Sequence, residues 1–421
     1  MSAFSKSLQT VSLVVVTVAT SFADTMVVGN STGELFTRGE FNVGGANISY
    51  VNFGWAIGAL DDRSSDRVLA IGLNQGGVFQ GNIRGADNLP ADLPNGEFGS
   101  GAAMLSVAVR PDGHIAFGTS DGAIYMQNST NLLTEATGYT GAFNGVPIFA
   151  TALNGMDIFP DGDLLIGGQT GEVWVRDRND ISQVSSNLAE FGEAFLNFGA
   201  GEPIAAVAVS PSGNMIIGRG NGGISTRSPS DPGVDISTAN FGTNAPIKSI
   251  DVLSNGNVVI GLGDGTVDIR NESNLTASVD SAVLGASVDA VKVTSNDNIW
   301  MGTAANLVFA RSGTNLNTEI GGTDGLNFNA PITAIAAFTV LPAVTEPMFE
   351  SITRGTSQDT VVLQWSSEAG RGYTLEGDTS LGGGGGYSVV SNGIPATAPS
   401  NVFTADTLTA NGAYRVISNP E

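Results

Sequence analysis

The chain has 421 residues, with 40 Asp and Glu against 17 Lys and Arg, a formal net charge of −23, one histidine and no cysteine. Disulfides, thiolate metal sites and multi-histidine metal centres are thereby excluded. The negative field and the lack of any basic run argue against nucleic-acid binding or attraction to anionic membranes. With 57 glycines, 14% charged and 41% hydrophobic residues, the composition suits a turn-rich β protein with a real core.

Residues 1–23 read as an export leader. Lys6 is the only charge among them, the apolar run Leu13-Val14-Val15-Val16 follows, and Ser21-Phe22-Ala23 puts small residues at the two positions a leader peptidase reads. Asp24 would begin the mature chain, and the loss of Lys6 would take the formal charge from −23 to −24. The apolar run is too short to span a bilayer, and no later stretch of about eighteen apolar residues follows. The expected location is extracellular, secreted or held at the cell surface by contacts, without membrane insertion.

From there a hydrophobic position recurs: Phe53, Phe98, Phe143, Phe198, Phe241, Leu284 and Phe328, at steps (by subtraction) of 45, 45, 55, 43, 43 and 44. A period in the forties with short apolar runs marks a propeller or solenoid array. Each unit opens on a first strand such as Ser106–Val109 or Ile247–Val252. A tight turn follows, as Pro111-Asp112-Gly113, Pro160-Asp161-Gly162, Pro211-Ser212-Gly213 or Ser254-Asn255-Gly256. The second strand is an apolar run ending in glycine, such as Leu164-Leu165-Ile166-Gly167 or Ile299-Trp300-Met301-Gly302. Its composition predicts burial on both faces, with the glycine at a bulge or a close backbone approach. A third strand follows Asp121-Gly122, Thr170-Gly171 or Asp264-Gly265, and the fourth, in polar stretches such as Asn271–Asp280, is expected to be short.

The two ends are incomplete in complementary ways. Met26–Phe36 supplies second and third strands without a first, and Phe328–Phe338 supplies a first strand with nothing after it. Six whole units and one shared unit predict an all-β, seven-bladed β-propeller over 24–340, closed by pairing its terminal strands, which leaves no open edge. Leu341–Pro347, with two prolines, reads as a linker. Residues 348–421 carry strand-like runs at Thr360–Trp365, Tyr373–Glu376, Tyr387–Val390, Asn401–Thr404 and Ala413–Val416, predicting a small β-sandwich.

Phe159-Pro160-Asp161-Gly162-Asp163-Leu164-Leu165-Ile166-Gly167-Gly168 and Val107–Gly113 resemble the delta-sixty type of bacterial propeller repeat. The resemblance covers about residues 24–340 and implies a propeller but no particular chemistry. Two units depart from the pattern, with Asn296-Asp297-Asn298, and with Asp61-Asp62-Arg63-Ser64-Ser65-Asp66 where the turn is expected. Leu363-Gln364-Trp365, Tyr373–Glu376 and Tyr414-Arg415-Val416 resemble the fibronectin type III-like C-terminal modules of secreted bacterial proteins.

No catalytic or cofactor-binding residue is assigned, and metal ligands are left unknown. His114 fills a slot that other units give to Asp163, Asn214, Asn257 and Asn298, which makes it a turn residue. Asp112, Asp121, Asp161 and Asp264 sit in repeated turns, where Asp bonds its own backbone. Asp61-Asp62 and Asp161-Gly162-Asp163 fall short of a calcium loop, so calcium is left open without ligands. The recurring Phe residues read as wedges between blades rather than sugar platforms, and Trp174 and Trp300 as packing, with Trp55 and Trp365 unassigned. The Gly382–Gly386 run reads as a turn, with no lysine or helix after it to make a phosphate cradle. Asn30, Asn47, Asn128, Asn271 and Asn274 begin glycosylation sequons.

Function is therefore expected to be non-enzymatic: an extracellular or cell-surface scaffold that binds other surface proteins or itself, one version being a filament or surface layer. The alternative is a secreted carbohydrate-active enzyme, a glycosidase or lyase acting on polysaccharide through two propeller carboxylates. A ligand-binding sensor ranks below both, because no signalling module or membrane segment follows.

Overall fold

The computed structural model describes residues 24–40, 47–63, 67–74, 81–86, 88–98, 101–110, 112–128, 131–135, 149–178, 181, 196–199, 202–320, 325–338, 349–354, 361–366, 372–378, 388–395, 400–405 and 413–419. The leader, the 341–347 linker, Phe143, Pro111 and the Gly382–Gly386 run lie outside them. Among the described residues there is no helix, and hence none long and apolar enough to cross a membrane. The chain divides into two units, Met1–Val340 and Leu341–Glu421.

The first unit is a seven-bladed β-propeller of antiparallel sheets. From the axis outward, blade one is Ile57–Arg63, Val68–Leu73, Gly81–Gly85 and Asn88–Phe98, and blade two is Met104–Val109, His114–Thr119, Ile124–Asn128 and Asn131–Glu135. Blade three is Leu153–Ile158, Leu164–Gly168, Glu172–Arg176 and Leu196–Asn197. Blade four is Ile204–Val209, Met215–Arg219, Gly223–Ser228 and Asp231–Asn240. Blade five is Ile247–Val252, Asn257–Leu262, Thr266–Asn271 and Asn274–Val283. Blade six is Val288–Val293, Asn298–Thr303, Leu307–Ser312 and Asn315–Glu319, with Leu326–Asn327 also paired to its third strand. Blade seven runs Ile332–Phe338, Thr25–Asn30, Glu34–Gly39 and Ser49–Asn52, with Val28 opposite Ile335.

The second strands are buried throughout in blades one, three, six and seven, so both faces of each must meet a neighbouring sheet. Seven apolar clusters satisfy them, one at every junction of consecutive blades. A fully buried Ile or Leu in such a layer contributes about 1.5–3 kcal/mol relative to exposure, so the ring of interfaces is the main source of stability. The second-strand glycine marks where sheets come closest. A Cβ on Gly302 of blade six would lie 2.2 Å from Ile332 Cγ2 of blade seven, and one on Gly167 2.4 Å from Ile204 Cγ2 of blade four. Each inner strand also carries a β-bulge near its start, as at Ile204/Ala206 and Val288/Ala290, which bends it at the rim of the axis.

Five of the periodic positions, Phe53, Phe198, Phe241, Leu284 and Phe328, are clasps at the outer end of a blade. Asn52-Phe53-Gly54, Asn197-Phe198-Gly199 and Asn240-Phe241-Gly242 share one geometry. The Asn side chain accepts the Gly amide at 2.6–2.7 Å. The Phe amide donates at 2.9 Å to the carbonyl of Gly33, Gly171 or Gly222 in the turn between second and third strands. Leu284 and Phe328 repeat that bond at 2.8 Å, to Gly265 and Asn306. Guanidinium groups cover several rings, with Arg270 Cζ 4.3 Å from the Phe241 centroid and Arg219 Cζ 4.8 Å from Phe198.

Two of the expected positions shift. In blade two Phe149 donates its amide to Gly122, six residues beyond the expected Phe143, which lies outside the described residues. Phe98 pairs with Gly81, whereas the equivalent pair in blade four, Ile224 with Ala239, lies two residues before Phe241; Phe98 is therefore two residues early. The expectation of short polar outer strands also fails in blades four and five, where they run ten residues and expose Val234, Ile236, Val279 and Val283. Asp61 and Asp62 belong to the inner strand Ile57–Arg63 rather than to a turn. Asn30 of the first sequon is fully buried and donates to Glu34, which leaves no room for a glycan.

The second unit contains two three-stranded antiparallel sheets. One is ordered Phe349–Arg354, Val361–Ser366, Ser400–Ala405, and the other Ser388–Pro395, Gly372–Asp378, Ala413–Asn419. Phe349–Arg354 had no counterpart among the expected strands. Leu363, Trp365 and Leu375 are buried.

Gly302→Ala should destabilise the propeller by about 1–3 kcal/mol through overpacking against Ile332. Gly39→Ala, whose added carbon meets nothing within 4 Å, should be near neutral. Urea unfolding of the two variants checks the contrast.

Candidate functional site: the axial channel

The inner strands place seven residues at one level around the axis. Asp61, Ala108, Asp157, Ala208, Asp251, Lys292 and Ala336 each sit opposite the residue two before the second-strand glycine. The level alternates acid and small residue from blade one to blade five, then breaks at Lys292 and Ala336.

Each acid reaches sideways. Asp61 Oδ2 accepts the Val109 amide, Asp157 Oδ2 the Val209 amide and Asp251 Oδ2 the Val293 amide, all at 2.7 Å. Blades one, three and five are thereby tied to blades two, four and six through a side-chain-to-backbone bond at the axis. Lys292 Nζ stands 3.9 Å from Asp251 Oδ2, and Asp61, Asp62 and Asp157 add to the field around it.

These side chains line two hollows that share part of their walls. The larger, 470 Å³, opens toward the first turns of the blades, past Val109, Phe159, Pro160, Ser210 and Pro211. The smaller, 180 Å³, is walled by Leu60, Val107, Met156, Val207, Ile250, Val291 and Ile335. Asp61, Asp157, Asp251 and Lys292 border both.

Burial pushes the Asp61 carboxyl up to about 7, with Lys292 opposing and Asp62 reinforcing the rise. Burial likewise pushes Asp157 up to about 6, against the amide bonds that favour its charged form. Lys292 moves further upward from the usual lysine range, chiefly because of Asp251. An amine held protonated in this way is a poor general base or Schiff-base former. The two raised carboxyls, by contrast, are proton donors near neutrality.

The turn residues lie elsewhere. Asp112 Oδ1 accepts the His114 amide at 3.1 Å and Asp161 Oδ1 the Asp163 amide at 3.1 Å. Asp264 Oδ1 accepts the Thr266 amide at 2.9 Å, and Asp121 Oδ1 the Ala123 amide at 3.4 Å. All four are local two-residue turns. His114 Nδ1 pairs with Asp112 at 3.1 Å. Trp174 and Trp300 are packed in interblade clusters, Trp365 is buried and Trp55 is 55% exposed. Among the described residues no group of three or more His, Asp or Glu side chains is placed to hold a metal ion. Asp157, Asp251 and Lys292 escaped the sequence reading, although counting back across each first turn from the second-strand glycine puts them in line with Asp61.

No protein-family profile matches the chain, and no curated protein sequence matches it either. Solved structures do resemble it. The computationally designed Ika8 protein aligns with TM-score 0.49 and 15% identity over 80% of this chain and 89% of its own. The Cps50 (Swd1) β-propeller domain of Myceliophteria thermophila gives 0.49 and 11% over 66% and 88%. The WD40 β-propeller domain of Doa1 gives 0.49 and 16% over 68% and 88%.

Asp157→Ala should leave the Val209 amide without its acceptor and cost about 1–3 kcal/mol, whereas Asp157→Asn keeps an acceptor and should cost less. A folded pKa of about 6 means that the native state binds a proton the unfolded chain has released. The contribution of Asp157 to stability is therefore highest below about pH 4 and declines as pH rises to about 6. Asp157→Asn should flatten that part of the profile in denaturant melts between pH 4 and 7.

Proposed function

We propose that the chain is an exported, non-enzymatic binding scaffold, a propeller ring closed by its terminal strands and followed by a C-terminal β-sandwich that serves attachment or assembly. Its partners are other surface proteins or further copies of itself, with a filament or surface layer as the self-associating version. The observation that carries this reading is the outer face of blades four and five. Two ten-residue strands there expose Val234, Ile236, Val279 and Val283, on a protein whose net charge is −23. Apolar side chains on an edge strand invite either strand addition or face-to-face packing. The axial acids, meanwhile, are engaged in tying blades together.

Sedimentation and electron microscopy of the full chain, with and without calcium, test it. Concentration-dependent assembly is expected, and Ile236→Lys with Val279→Lys should reduce it without lowering the melting temperature. A strictly monomeric particle at high concentration counts against self-assembly.

One observation favours a second reading, that of a carbohydrate-active enzyme. Asp61 and Asp157, with pKa values of about 7 and 6, border a 470 Å³ hollow, which is the kind of acid a glycosidase uses. A polysaccharide panel decides between the two. Cleavage abolished by Asp61→Asn or Asp157→Asn would replace the scaffold reading.

A further inference from the structure

Glu40, at the end of the third strand of blade seven, is fully buried. Its Oε1 accepts from Thr294 Oγ1 and Asn298 Nδ2, each at 2.7 Å, and its Oε2 from Asn296 Nδ2 at 3.0 Å and from the backbone nitrogen of Asp24 at 3.1 Å. Three of these donors come from the first turn of blade six, and all four are neutral. A buried carboxylate whose hydrogen-bond donors are all neutral bears a desolvation cost that a cation would offset.

The fourth donor is also the atom that the sequence marks for release. Ser21-Phe22-Ala23 sits immediately before Asp24, with small residues at the positions a leader peptidase reads. Asp24 itself is 1% exposed, and its carboxylate is bonded into the same turn, accepting the Ser295 amide at 2.7 Å and the Ser295 hydroxyl at 2.9 Å. Its carbonyl accepts the Glu40 amide at 2.8 Å. The nitrogen is thus held against Glu40 from two sides.

We propose that the Ala23–Asp24 peptide bond is a processing site, and that the ammonium freed on Asp24 forms a buried ion pair with Glu40 that locks blade seven to blade six. Hydrolysis adds one water across the bond. The carboxylate leaves on Ala23, and Asp24 keeps an amino group that takes up the proton. A backbone amide offers Glu40 one neutral N–H; the ammonium offers three and a full positive charge, and bonds between ions are the stronger kind. The cut depends on the export reading, whereas the ion pair depends only on the cut.

The chain is expressed with its own leader in an exporting host, and the mass of its N-terminus is measured. Chains beginning at Asp24 and at Ala23 are then melted, each with and without Glu40→Gln. The expected N-terminus is Asp24, and the Asp24 chain should melt at least about 2 °C higher, with no such gain in the Glu40→Gln background. The free α-amino group titrates near 7.7–8.0, and pairing raises it in the folded chain. The gain should therefore be complete below about pH 7.7 and disappear as pH rises through the raised value. If Glu40→Gln does not fold, Nα-acetylation of the Asp24 chain removes the charge instead and should lower its midpoint to that of the Ala23 chain. Equal midpoints for the Asp24 and Ala23 chains, with Asp24 found at the N-terminus, overturn the ion pair and leave export standing. A retained leader overturns both.

Discussion

Every blade of this propeller must cover both faces of its middle strands with its neighbours, and that requirement organises the rest of the molecule. A second strand such as Val68–Leu73, buried along its whole length, has no tolerable exposed face. Each sheet therefore needs a partner on both sides, and a ring provides two for all seven. Close stacking in turn demands a glycine where the next inner strand crosses, as Gly302 shows against Ile332. It also demands a device that returns the chain from the outer edge to the next inner strand in constant register. The Asn-Phe-Gly clasp is that device. Its ring fills the interblade wedge, while its backbone bond to the opposing turn sets how far the strand travels before turning inward.

This explains what was legible in the amino-acid sequence and where the reading slipped. Apolar second strands, paired turns and the clasp all repeat because they serve one backbone geometry, so blade count followed from the spacing. Phe98 misled because an aromatic near the expected distance need not occupy the clasp. The decisive marks are the left-handed glycine that follows, such as Gly101 with φ of 80°, and the amide bond of Phe149 to Gly122. Asp61 and Asp62 looked like a degenerate turn because the unit lacks Pro-Asp-Gly; register against Ala70 and Leu69 puts them in the strand. Single acids at Asp157 and Asp251 are hard to notice in otherwise apolar strands, since one residue per unit sets no local pattern. The long outer strands were missed for another reason. Their side chains face solvent and neighbours unequally, so no strict alternation announces them.

The axial acids illustrate how a polar group can be used inside an apolar ring. A carboxylate beside the axis loses hydration, which raises Asp61 and Asp157, yet each is placed to satisfy an amide of the next blade. Using acids in every other blade, with alanine at Ala108 and Ala208 between them, keeps like charges apart around a narrow circle.

Seven is odd, so an alternating ring cannot close on itself without one irregular junction. The irregularity falls at blades six and seven, where Lys292 stands in place of another alanine and Ala336 in place of another acid. A cation is the residue type that this position favours, because Asp251 precedes it and Asp61 follows beyond Ala336. Protonation of Asp61 and Asp157, which their raised values of about 7 and 6 allow at mildly acidic pH, makes the layer two charges less negative. The two carboxylates that bond to neighbouring blades, raised by burial against those bonds, therefore make the charge of the channel a function of pH.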